Sequence, residues 1–125
     1  MDKSKYELEK LANRKTGYPI ATIAYYGPND QFASKVVVGI QLSEEEQEVS
    51  HLRRWFAKEQ DVRLDMTILK EILEYIRLYR SRRVAMVDRI IGCPHEEGVD
   101  YPMGEVCPYC PFWANRDRWT GELIR

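Results

Sequence analysis

Pro19-Ile-Ala-Thr-Ile-Ala-Tyr-Tyr26 runs into Gly27-Pro-Asn-Asp30, and the stretch Ala33 to Ile40 follows with Val36, Val37, Val38 and Ile40. Branched and aromatic side chains at this density suit a pleated surface. Gly-Pro-Asn-Asp is a strong turn signal. The stretch predicts an antiparallel hairpin whose loop is longer than two residues. Upstream, Lys5 to Arg14 reads as a short amphipathic helix: Leu8, Leu11 and Ala12 share a face, and Gly17 and Pro19 end it.

Downstream, Gln41 to Ser50 is polar and carries Glu44, Glu45, Glu46 and Glu48 without the ligand spacing of a calcium loop, so a solvated loop is expected. His51-Leu-Arg-Arg-Trp-Phe56 fits a third strand or a helical turn, with Trp55 and Phe56 expected in the core. His51 stands apart from the other ligand-type residues and is expected to be a surface or packed residue. Asp65 is placed to cap a helix running to about Arg80. There Ile68, Leu69, Ile72, Leu73, Ile76 and Tyr79 repeat at helical spacing, with Lys70, Glu74 and Arg77 on the other side. Arg83 to Ile91 then reads as a strand, and strand, helix and strand in succession suggest a right-handed parallel crossover. The expected fold is α+β. An antiparallel hairpin or meander with packed helices and a β-α-β unit forms an α/β core over 1–91. A loop-rich, zinc-stapled segment over 92–125 packs on it to make one compact domain.

The 125 residues are 44% hydrophobic and 31% charged, a composition that fits a soluble globular protein and argues against wholesale disorder. No apolar run approaches the roughly 18 residues of a membrane span, so no membrane partner is expected. The opening Met1-Asp2-Lys3-Ser4-Lys5 leads into a charged helix and not an apolar signal core, which predicts a cytoplasmic protein. Nineteen basic and twenty acidic residues nearly cancel, a poor balance for non-specific nucleic-acid binding. The distribution is uneven: residues 1–90 hold 16 basic and 14 acidic residues, and residues 91–125 hold 3 and 6.

All three cysteines fall in one short window, Cys93-Pro-His95-Glu-Glu-Gly-Val-Asp-Tyr-Pro-Met-Gly-Glu-Val-Cys107-Pro-Tyr-Cys110. Written as ligands this is C-x-H, eleven residues, then C-x-x-C. Zn2+ takes four tetrahedral ligands from thiolate and imidazole, and Cys3His is a common structural set. Gly92 to Gly104 holds three glycines and two prolines. A segment so poor in apolar residues needs a staple. Cys93, His95, Cys107 and Cys110 are therefore the expected zinc ligands. Two other chemistries compete for the same residues. Cys107-Pro-Tyr-Cys110 is the tetrapeptide of glutaredoxins, but Pro111-Phe-Trp follows it in place of an amphipathic helix. His95 and Glu97 give the H-x-E of zinc deaminases, which the chain faintly resembles, although Val106 stands where that signature has Pro. In such a hydrolase or deaminase site Glu97 or Glu96 would serve as the general base on metal-bound water. Cys93 argues against it, since it would fill the position that water needs.

Two cationic regions are candidate partner surfaces. One runs through Arg77, Arg80, Arg82, Arg83 and Arg89, where cations at a helix end also complement the helix dipole. The other is Pro111-Phe-Trp-Ala-Asn-Arg-Asp-Arg-Trp, in which Arg116, Arg118 and Trp119 could contact nucleic acid. Packing of Trp113 and Trp119 over the metal loop is the preferred reading of that segment. Gly92-Cys-Pro-His-Glu-Glu-Gly-Val-Asp-Tyr-Pro, Cys107-Pro-Tyr-Cys-Pro-Phe-Trp and Arg116-Asp-Arg-Trp-Thr-Gly121, together with Tyr18-Pro-Ile-Ala-Thr-Ile-Ala-Tyr-Tyr-Gly-Pro, resemble a group of small uncharacterised bacterial proteins with a zinc-ribbon-like C-terminus. The resemblance implies a prokaryotic source and a recurring architecture and supplies no substrate. The expected function is a structural Cys3His zinc protein acting as an interaction or regulatory module with a protein partner. The alternatives are the zinc-dependent enzyme and a nucleic-acid-binding module through Arg77–Arg89.

Overall fold

The computed structural model describes residues 4–14, 16–46, 48–114 and 116. Helix α1 (Ser4–Ala12) precedes strands β1 (Ile20–Tyr26), β2 (Lys35–Gln41) and β3 (His51–Phe56). Helix α2 (Met66–Leu78) and strand β4 (Arg83–Ile90) follow, and single 3-10 turns lie at Val62–Leu64 and Pro111–Trp113. The strands form one mixed sheet in the order β3-β2-β1-β4. The expected α+β class, the hairpin and the capped helix are all present.

Period-two alternation divides the sheet into two unlike faces. The register sets Ala21 beside Ile40 and Val84, Ile23 beside Val38, and Tyr25 beside Val36, which in turn faces Trp55. These side chains join Leu8 of α1 and Ile68, Ile72 and Ile76 of α2 in one core. On the opposite parity Thr22, Leu52, Phe56 and Ala85 are exposed, while Lys35 and Gly39 are covered. Phe56 corrects the expectation that both aromatics of β3 are buried: Trp55 is in the core and Phe56 is 62% exposed. Adjacent residues of a strand point to opposite faces, so a Trp-Phe pair cannot share one core.

Asp65 starts α2 by accepting hydrogen bonds from the Thr67 N–H at 3.0 Å and the Ile68 N–H at 3.1 Å. The helix stops at Leu78, two residues before the expected end, because Arg80 takes a left-handed conformation with φ 53°. β3 and β4 run the same way, as a parallel crossover requires, yet they lie on opposite edges of the sheet. β4 pairs in parallel with β1, so α2 carries the chain across the whole sheet. Gly27 closes the β1–β2 connection where no side chain fits: a Cβ there would stand 1.8 Å from the Phe32 carbonyl oxygen.

Candidate metal centre

The end of β4 sets the position of the first ligand. Beyond Met86 the pairing with β1 shifts by two residues. It then resumes through hydrogen bonds from the Ile91 N–H to Tyr25 O and from the Gly27 N–H to Gly92 O, both 2.9 Å. Cys93 leaves directly from this anchored edge. The loop that follows is held by its own short bonds. The Glu96 N–H donates to Asp100 Oδ2 at 2.7 Å, the Gly98 N–H to Tyr101 O at 2.8 Å and the Gly104 N–H to Glu97 Oε1 at 2.7 Å. Gly98 and Gly104, with φ 81° and 83°, supply left-handed turns that return the chain toward Cys107. Trp113 closes the segment, donating its indole N–H to Gly27 O at 2.7 Å. The tail thus packs Trp113 beside the cysteines, as the sequence suggests. Arg118 and Trp119 lie outside the described residues.

Cys93, His95, Cys107 and Cys110 converge, with one donor atom from each lying within 4.8 Å of all the others. His95 Nδ1 faces the three sulfurs at 3.2 Å from Cys93, 3.5 Å from Cys107 and 3.4 Å from Cys110. Zinc at ordinary bond lengths to sulfur and nitrogen separates tetrahedral ligand pairs by about 3.5–3.8 Å. The spacing is therefore near that of a tetrahedron's edges. Cys107 and Cys110 are buried, Cys93 is half-buried, and Tyr101 and Trp113 supply the apolar cover. Burial pushes the thiols of Cys93 and Cys110 up from their ordinary values. A bound divalent cation reverses that, because a coordinating thiol is deprotonated outright.

The other candidates separate. Glu97 borders the same small cavity as the sulfurs, about 150 Å3 in volume, but its carboxylate is engaged by the Gly104 N–H. Glu96 points to the sheet, accepting from Arg54 at 2.8 Å and lying 3.8 Å from Lys35 Nζ. Cys107-Pro-Tyr-Cys110 opens only a three-residue 3-10 turn, so the helix that activates a glutaredoxin thiol is absent among the described residues. Arg80 and Arg82 are exposed at the α2–β4 turn, and Arg83 packs over the Tyr18 ring. Arg77 pairs with Glu7 of α1. Arg116 lines the cavity at the far end of β4 and lies over the Phe112 ring, about 20 Å along the strand from Arg83. Among the described arginines, Arg116 is thus apart from Arg80, Arg82 and Arg83 at the α2–β4 turn.

One participant escaped the sequence. Lys35 is the most deeply buried charged residue among those described, only 4% exposed, and its ammonium donates to the Pro94 carbonyl at 2.9 Å. Burial pushes its pKa down, and Glu96 opposes that. A lysine opening a strand reads as solvated until the Cys/His loop is known to lie over it. No family model matches the chain, and no curated protein or solved structure matches it. No helix among the described residues is long and apolar enough to cross a membrane.

Proposed function

We propose that this is a cytoplasmic zinc protein in which Cys93, His95, Cys107 and Cys110 hold one structural Zn2+ and present the loop between them to a protein partner. The observation that carries the reading is the convergence of all four donor atoms within 4.8 Å. Four protein ligands leave no coordination position for water, so the metal organises chain and does no hydrolysis. Both nearby carboxylates are committed to other contacts, which also weighs against a general-base role for Glu96 or Glu97. Exposed Val99, Met103, Val106 and Tyr109 gather on this one short loop and support contact with a protein. Reduced thiols suit the cytoplasmic setting, and a prokaryotic source belongs to the same proposal.

Metal analysis of protein purified without chelator tests the reading, with about one zinc per chain expected for a single four-ligand site. Cys93→Ser should lose most of that zinc. Full retention of metal by Cys93→Ser would point to a three-ligand site with an open position and revive the enzyme.

A further inference from the structure

We propose that Lys35 is the buried counter-cation of the metal centre, a positioning residue whose charge favours the metal-filled state; this rests on the zinc reading above. Three thiolates, a neutral imidazole and Zn2+ leave a centre with one net negative charge. A buried anion of that kind needs a compensating cation or hydrogen bonds. Lys35 is placed to supply it. Its ammonium is fixed at 2.9 Å on the carbonyl of Pro94, the residue between ligands Cys93 and His95. The rings of Tyr26 and Phe56, with centroids 5.6 and 5.7 Å away, flank it. Of the carboxylates that favour its charge, Glu96 is 3.8 Å away and already hydrogen-bonded by Arg54, and Asp100 contributes less. A lysine enclosed to this degree, facing a neutral carbonyl and a shared carboxylate, is under-compensated until the thiolate centre forms. Outer partners of this kind commonly change metal affinity 10- to 100-fold when removed.

The charges predict opposite signs for two variants that break the same contact network. Lys35→Met keeps the length of the stem and removes the cation. It should weaken zinc binding by about 10- to 100-fold, read by competition with a chromogenic chelator at fixed pH on the full chain. Glu96→Gln removes an anion beside the anionic centre and should tighten binding. If the contacts were only a mechanical clamp, both variants would weaken binding, and that result overturns the proposal. Unaltered affinity in Lys35→Met overturns it as well. Circular dichroism checks that Lys35→Met folds. If it does not, the sign of the Glu96→Gln effect decides alone, with weakening or no change counting against the charge role. Absence of stoichiometric zinc from the wild-type protein strikes the metal reading itself and is a separate failure.

Discussion

At the scale of single residues, two buried charges, one acidic and one basic, show how surroundings decide the state of a charged group. Asp61 accepts from the Ala33 N–H at 2.9 Å, from the Arg63 N–H at 2.9 Å, and from the Arg63 guanidinium at 2.8 and 2.6 Å. Burial alone would push its carboxyl up, but these bonds outweigh it and hold the pKa at about 2, against 3.8 for a free side chain. A group depressed in the folded state contributes in full above its unfolded pKa and loses that contribution as pH falls through the folded one. Asp61→Asn should therefore cost about 2 kcal/mol at neutral pH. The difference from wild type should shrink between pH 4 and pH 2 in denaturant titrations. A gap that stays constant down to pH 2 would show that ionisation plays no part. Lys35, by contrast, has a neutral carbonyl as its hydrogen-bond acceptor and a carboxylate at 3.8 Å that it shares with Arg54. Arg63 is only two residues from Asp61, but each residue also has a partner far off in sequence, Ala33 for Asp61 and Pro94 for Lys35. Nothing in a one-dimensional pattern marks either residue, whereas the four candidate metal ligands are marked by their chemistry and by falling within eighteen positions.

At the scale of elements, the start and the buried face of α2 were legible because its apolar period and its cap agree. The cap is also testable. Asp65→Ala leaves the Thr67 and Ile68 N–H groups without their acceptor and should cost about 1 kcal/mol. Asp65→Asn should recover most of it. Equal losses in the two variants would mean that the charge, and not the hydrogen bonds, carries the effect. β3 was ambiguous because a six-residue run shows too few repeats to separate a period of two from one of 3.6. Its surroundings settle it: β2 offers an unpaired edge, and Trp55 meets Tyr75 of α2 edge-on with centroids 5.9 Å apart. Stacking of His51 on Tyr79, 4.3 Å between centroids, makes that histidine a packed residue, one of the two expected outcomes. The pairing of β4 with β1 was beyond reach, since apolar pattern reports which face is buried and says nothing of which neighbour is taken.

For the whole molecule, the main core draws on the sheet and both helices, and Trp113 of the Cys/His segment packs against it. The loop has its own small cluster around Tyr101, Cys107 and Cys110. Removing metal with excess chelator should thus raise hydrogen exchange through residues 93–113 while amides of β1 and β2 remain protected. Cooperative loss of protection everywhere would make the metal a condition of the entire fold. Unchanged protection in the loop would mean that the ion contributes nothing to it. The amino-acid sequence by itself determined the local periods, the turns, the cap of α2 and which four Cys and His residues converge, because each is written in residues close together along the chain. Only the tertiary structure decided that β4 lies beside β1, that Phe56 faces outward, and that Lys35 and Asp61 are buried charges. Those outcomes depend on which surfaces meet across long separations, where solvent exclusion by a distant segment, and not local preference, sets the energy of each group.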